Sequence, residues 1–385
     1  MQTRSKSGIV KKKSFATSTT INYLQTEPPS FTIASKIPEW RAAMASEFDA
    51  LQRQHTWSLI PPCSDQNLKA GVDFDETFSP VVKPPTVRII LSLAALNQWP
   101  LQQLDAPRAW FERFTSHLLT LGFTASLADA SLFVLHHGST TVYLLLYVDD
   151  IIITDNNSTA ISDIISQLSA AFEIKDLGPL RYFLGLQIDY KKVRLFVHQH
   201  KYITDLLHKF QMTDCKAAPT PIATTPPLST ANNDALSDPT PFRSLVRCPS
   251  QNGFFVISRV HCITGVLFQP GPLALTAFTD ADWAGDPSDR RSTSGVIVFL
   301  GHNPITWLAK KQHTVSRSST EAEYRSLATG AAELAWLRQV LCDLKLFLPS
   351  APLIWCDNTN ALALASNPIF HGRTKHIEVD YHLCS

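Results

Sequence analysis

Paired cysteines are missing from this chain. Its seven cysteines stand far apart, at Cys63, Cys215, Cys248, Cys262, Cys342, Cys356 and Cys384, and none forms a CxxC pair. That argues against a zinc site. The odd count and wide scatter point to reduced thiols and an intracellular setting, cytoplasmic or nuclear. A basic excess is missing too. The 34 Lys and Arg against 33 Asp and Glu leave a net charge of +1, so any nucleic-acid contact must rest on a local groove. No apolar run is long enough to span a membrane and no secretory signal opens the chain, so neither membrane insertion nor secretion is expected. No internal repeat is visible. What is present is a globular composition, 44% hydrophobic over 385 residues, enough for two or three domains.

Composition divides the chain. Residues 1–30, opening "MQTRSKSGIVKKKSF", are basic and poor in apolar residues and are expected to be a disordered tail. Residues 31–213 alternate helical and strand patterns. Ala42, Ala45, Phe48 and Leu51 recur at helical spacing before the β-prone "TWSLI", and Ile89, Leu93 and Leu96 repeat that spacing. "PLQQLD" reads as a strand and "PRAWFERFTSHLLTLGF" as a helix with Pro107 in its first turn. "SLFVLHH" and "TVYLLLYV" read as strands joined at Gly138-Ser139, and "IIIT" as another. Asn157 or Ser158 caps a helix reaching about Phe172, a hairpin follows, and "YITDLLHKF" closes this part as a short helix. Residues 214–264 hold a Pro/Thr/Ser/Asn-rich linker and an unplaced junction. Residues 265–385 then read as strand, strand, strand, long helix, strand, helix, a mixed α/β plan.

Two aspartates interrupt the most apolar stretch, "LLLYVDDIIIT". Residues 142–148 are apolar on both faces, as in a covered central strand. Burying an ionised pair at its end costs several kcal/mol unless something compensates, of the order known for buried ions. Either Val148-Asp149-Asp150-Ile151 is a tight turn with both acids in water, or the hairpin presents carboxylates to a divalent cation. In the second case Asp105, ending "LQQLD", completes a site for phosphoryl transfer.

A second acidic set lies downstream. Asp280 ends the strand "LTAFTDADWAGD" on the face it shares with Phe278. Glu323 stands one turn before Leu327 on the helix stripe Leu327, Leu334, Leu337, Leu341, Leu344, and so points toward the sheet. The alternative is a capping box of Thr320 and Glu323. Asp357 follows "PLIWC", where it serves either a metal or the next helix as N-cap.

These stretches carry a family resemblance. "YVDDIIIT" resembles the active-site hairpin of reverse transcriptases. "DFDETFSPVVKPPTVRIILSLAA", "WPLQQLD", "APRAWFERF", "LGFTASLADASLFV" and "LGPLRYFLGLQI" resemble the polymerase of copia-type LTR retrotransposons, over most of residues 28–246. "TDADWAGDPSDRRSTSG", "SRSSTEAEY", "WCDNTNALALASNP" and "RTKHIEVDYH" resemble the RNase H domain that follows it, over about 265–383. The resemblance implies an α/β (α+β) chain, a reverse transcriptase palm-like domain followed by an RNase H-like mixed-sheet domain. It implies Asp105 and Asp149 as ligands of two Mg²⁺ ions with Asp150 as third carboxylate, activating the primer 3′-hydroxyl and stabilising the pyrophosphate leaving group. Lys175 matches a position that can protonate that leaving group; alternatively it is an exposed helix-end cation. Asp280, Glu323 and Asp357 are implied as metal carboxylates that cut RNA in an RNA–DNA hybrid, with Mg²⁺ as cofactor and Mn²⁺ able to substitute. The implied partners are RNA template, DNA primer, RNA–DNA hybrid and deoxynucleoside triphosphates.

The chain also departs from that family. Basic finger strands are missing where "PPCSDQNLKAG" joins the "TWSL" and "GVDFDETF" regions. Asp105 runs straight into Ala106-Pro107-Arg108, without the family's nucleotide-binding stretch. After Val246, "RCPSQNGFFVISRVHCIT" replaces the thumb and connection. The family's fourth RNase H carboxylate lies downstream of the matched region, with Glu378 and Asp380 as stand-ins. Catalysis depends on positioning, so impaired polymerisation is expected, with hydrolysis in the RNase H half more durable. The competing expectations are a working Mg²⁺ nuclease alone, or a non-catalytic nucleic-acid-binding remnant.

Overall fold

The structure is a computed structural model that describes residues 28, 31–53, 82–106, 111–172, 174–209 and 265–366. The chain divides into two compact units, Met1–Pro61 and Pro62–Ser385. In the first, the described part is helical: α1 (Phe31–Ala34) and α2 (Pro38–Arg53). The basic tail, the "TWSLI" strand and the 214–264 linker lie outside the described residues.

The second unit is mixed α/β, with antiparallel and mixed sheets. It opens with α3 (Pro84–Asn97), whose prolines stand at the first helical positions, where no backbone N–H is needed. Buried Asp129 holds that end, accepting from the Lys83 backbone N–H and from the Thr86 hydroxyl, and placing a negative charge at the helix N-terminus. Six strands follow: β1 (Leu101–Asp105), β2 (Thr124–Ala125), β3 (Leu132–His137), β4 (Thr140–Tyr147), β5 (Asp150–Asp155) and β6 (Lys175–Pro179). They form one antiparallel sheet in the order β2-β3-β4-β5-β1-β6.

The apolar run of β4 and β5 has a simple cause. Val142, Leu144, Leu146, Ile151 and Ile153 face α4 (Phe111–Thr120) and α5 (Ser158–Ala171) through Phe114, Leu118, Ile161, Ile164 and Leu168. Tyr143, Leu145 and Ile152 face the opposite way, into the core that holds α3. Both faces are covered, as expected of a central strand pair. Asn157 caps α5 by accepting from the Thr159 backbone N–H.

Beyond β6, β7 (Tyr182–Phe183), β8 (Leu186–Lys191) and β9 (Arg194–His198) make a small sheet, followed by α6 (His200–Lys209). Its fourth member is β10 (Gly265–Phe268), paired antiparallel to β9. The last sheet has the order β13-β12-β11-β14, from β11 (Leu275–Ala281), β12 (Thr293–Leu300), β13 (Asn303–Lys311) and β14 (Leu353–Trp355). Strands β11 to β13 are antiparallel, while β14 joins β11 in parallel. The long helix α7 (Ser319–Asp343) crosses one face and links β13 to β14, as a parallel pair requires. A Cβ on Gly330 would stand 2.6 Å from Thr279 Cγ2, so only glycine lets the helix approach the sheet this closely. Helix α8 (Thr359–Ser366) follows.

The two large sheets share a core, in which Ile89 and Leu93 join Val298, Leu300, Ile305 and Leu341. Polar contacts fix the register. Arg88 donates to the Ile305 carbonyl at 3.1 Å and lies over the Trp307 ring at 3.8 Å, and burial lowers its pKa to about 10. Asn303 donates to Ser92 at 2.8 Å, and the Tyr143 hydroxyl to the Leu344 carbonyl at 3.1 Å. One oxygen of Asp343 accepts from Ser126 Oγ at 2.6 Å, Leu127 N at 2.9 Å and Ala128 N at 3.0 Å. Asp343→Ala strands those donors and is expected to lower stability by about 2 kcal/mol in urea unfolding, with Asp343→Asn costing less. A loss under about 0.5 kcal/mol would show the contact to be solvated. No helix among the described residues is long and apolar enough to cross a membrane.

Candidate active sites

The aspartate pair sits on a two-residue turn. Tyr147 pairs with Asp150 across it, and Val148 and Asp149 form the tip. Val148 has φ +53°, a left-handed conformation that a β-branched residue adopts only under constraint. Val148→Gly is therefore expected to leave stability unchanged or raise it by about 0.5 kcal/mol. A drop above roughly 1 kcal/mol in the unfolding midpoint analysis would show that the side chain matters more than the backbone.

Asp105 ends β1 directly opposite Asp150, and the Ala106 N–H donates to the Asp149 carbonyl at 2.9 Å. All three carboxylates thus reach one end of the sheet. Burial raises the Asp150 pKa, Gln103 donating at 3.1 Å opposes this, and the charges of Asp149 and Asp105 raise it again. Neither side chain is simply a solvated turn residue, since Asp149 and Asp150 are both half-buried. Lys175 lies at the start of β6 opposite Asp105, not at a helix end.

In the second acidic set Glu323 stands among the charges of Asp280 and Asp357. Asp280 lies on the open face of β11, where Ala277, Thr279 and Ala281 turn the other way and are buried. Ser326 of α7 ties that strand end to the helix, its hydroxyl 2.8 Å from the Asp280 carbonyl and 3.0 Å from that of Gly295. The cap of α7 is Ser318, which accepts from the Glu321 N–H at 3.2 Å, while Glu321 reaches back to the Arg317 N–H at 2.9 Å. Glu323 is therefore released from the Thr320 capping box that the sequence also allowed. It is only 6% exposed, and its Oε2 has no hydrogen-bond partner. Burial comes first among the causes that raise its pKa to about 7, the Ala281 N–H opposes, and Asp280 and Asp357 raise it further. Asp357 is likewise free of capping duty, because Asn358 accepts from the Ala361 N–H at 3.0 Å.

One residue beside this group escaped the sequence reading. Glu323, Cys356 and Asp357 place a ligand atom each within 4.8 Å of one another, and Asp280 adjoins them through Glu323. Burial, then the Glu323 and Asp357 charges, hold the Cys356 thiol above its usual pKa. A search for CxxC spacing cannot find such a cysteine. Its neighbours come from α7 and from the turn after β14. An orphaned buried carboxylate oxygen among further acids is what a divalent cation would satisfy, so the residues present fit a metal.

A covered antiparallel sheet thus carries an aspartate hairpin beside a third strand-end aspartate. Residues 105–224 match the family described as reverse transcriptase (RNA-dependent DNA polymerase). The chain belongs to the copia-type retrotransposon Pol polyproteins. It is 35% identical to the "Retrovirus-related Pol polyprotein from transposon RE1" of Arabidopsis thaliana, over 99% of this chain and 33% of that protein. To the corresponding polyprotein from transposon TNT 1-94 of Nicotiana tabacum it is 29% identical, over 82% of this chain and 30% of that protein. To the "Uncharacterized mitochondrial protein AtMg00810" of Arabidopsis thaliana it is 42% identical, over 51% of this chain and 94% of that protein. The chain thus spans about a third of the RE1 polyprotein. The RE1 alignment runs over 491 residues while this chain has 385, so the relative carries internal segments that this chain lacks.

Proposed function

We propose that this chain derives from an RNA-directed DNA polymerase and that its surviving chemistry is hydrolysis of the RNA strand of an RNA–DNA hybrid. Synthesis of DNA on an RNA template, with a DNA primer and deoxynucleoside triphosphates, is impaired in this reading. The observation that carries it is Glu323: a buried carboxylate with an unpartnered oxygen, facing Asp280 and Asp357, on a helix whose cap is made by other residues. Asp280, Glu323 and Asp357 would hold Mg²⁺, or Mn²⁺, which supplies an activated water and neutralises developing phosphate charge. Glu323, with its pKa near 7, gives up its proton readily when a cation is offered. Phe278 and Trp355, stacked 12° from parallel at 6.4 Å, are 47% and 54% exposed on the face that carries Asp280. They give the sugars and bases of a hybrid a flat apolar surface beside the acids.

Impaired synthesis rests on two supports. Internal segments present in the RE1 relative are missing. Asp105 passes directly to Ala106-Pro107, so the strand loses the stretch that contacts nucleotide in the family. The test is incubation with end-labelled RNA annealed to DNA in Mg²⁺. Cleavage within the RNA is the expected result. Tight hybrid binding with no cleavage would favour the non-catalytic binding remnant instead.

A further inference from the structure

We infer that Cys356 makes the second acidic site a binding site for a thiophilic divalent ion of the Zn²⁺ or Cd²⁺ type, held by Cys356 Sγ with one oxygen each from Glu323 and Asp357. The three ligand atoms already lie within 4.8 Å of one another. Two independent features mark the group. The Glu323 Oε2 is buried without a partner. Cys356 is a free, half-buried thiol that follows β14, whose parallel pairing with β11 brings it beside Thr279 and the Asp280 strand end. One sulfur with two carboxylates differs from an all-oxygen Mg²⁺ set, because thiolate selects soft or borderline ions and Zn²⁺ stands above Mn²⁺ in affinity for such donors. The spacing does not depend on sequence proximity: Glu323 comes from α7, and only Cys356 and Asp357 are neighbours in the chain.

Binding forms a metal–sulfur bond as the thiol loses its proton to solvent, and nothing is oxidised or reduced. Its consequence for the pocket is competition. A Zn²⁺ ion on Glu323 and Asp357 occupies the carboxylates that Mg²⁺ needs, so the site is switched off by trace thiophilic metal. The inference concerns the same pocket as the proposed hydrolysis but does not require hydrolysis to occur.

Cadmium titration of the full chain tests it, read by the ultraviolet sulfur-to-cadmium charge-transfer band. Cys356→Ser is expected to remove one equivalent of that band, and Cys342→Ser, which alters an exposed thiol outside the cluster, to keep it. Glu323→Gln or Asp357→Asn should weaken that equivalent at least about tenfold, the lower end of what outer-shell losses cost at metal sites. Cadmium NMR of the unsubstituted chain should show one ion with a single sulfur among oxygen ligands, whatever the variants' folding. A band unchanged in Cys356→Ser overturns the inference. So does one lost in Cys356→Ser but indifferent to both carboxylate changes, which would mark an isolated thiol. Because the band is read without cleavage, absence of hybrid cleavage in Mg²⁺ would count against the proposed hydrolysis and leave this result standing.

Discussion

Replacing Asp280 by asparagine or Glu323 by glutamine is expected to lower cleavage of an RNA–DNA hybrid by on the order of a hundredfold or more. Each change removes a fixed negative oxygen from the place where a cation would neutralise phosphate charge, and single preorganised electrostatic contacts are worth about 10²–10³ in rate. The two variants probe different parts of the fold. Asp280 is exposed on the open face of β11, so Asp280→Asn disturbs little packing. Glu323 is buried on α7 beside the Ala281 N–H. Equal losses from both would tie the acids into one site. A loss from Glu323→Gln alone would point to a packing effect on the helix. Hybrid binding should change far less than rate, since the Phe278–Trp355 stack is untouched.

The same Glu323→Gln change is expected to make the protein more stable at neutral pH. A carboxyl whose pKa is raised to about 7 from the ordinary 4.5 binds its proton more tightly folded than unfolded. Its contribution is fully present below about 4.5 and is lost as pH rises through about 7, so stability falls across that window. Glutamine cannot ionise and escapes the loss. After allowance for solvent screening, the gain above pH 7 is about 2 kcal/mol, or roughly 4 °C in Tm. The two proteins should match near pH 4. Millimolar-range Mg²⁺ should close the gap from the other side by stabilising the parent chain. A structural Glu323, bound in a cap, would give the opposite sign, with glutamine neutral or destabilising.

Much of this was legible from residues alone. The β4–β5 pair announced itself because Val142 to Val148 are apolar on both faces. The structure supplies a separate core for each face. Glu323 could be placed toward the sheet from its spacing to Leu327, Leu334 and Leu341, all of which are buried. Asn157 was legible as one of two candidate caps, with Ser158, and the structure uses Asn157. Other features were hidden for identifiable reasons. Strand β6 reads "KDLGP", and its Gly178 with φ +77° and its terminal Pro179 deny it any strand pattern. It exists because β1 offers an edge to pair with. Strand β10 closes a sheet with β9, some seventy residues earlier in the chain, which no local signal encodes. Ser318 and Glu321 formed the cap that Thr320 and Glu323 also fit by spacing. Cys356 was passed over because no CxxC spacing marks it and Glu323 reaches it only through long-range packing. Family likeness, in turn, pointed to the aspartate hairpin but said nothing of whether Asp105, Asp149 and Asp150 hold a cation in this chain.

In the proposed function this copia-type Pol region cuts the RNA of a hybrid and is impaired in DNA synthesis. One reaction tests both: an RNA–DNA hybrid with a recessed DNA primer end, labelled on each strand, incubated with the chain, Mg²⁺ and deoxynucleoside triphosphates. The expected result is shortened RNA with an unextended primer, and no RNA cleavage by Asp280→Asn. Primer extension that disappears in Asp149→Asn, with the RNA left intact, would contradict the account.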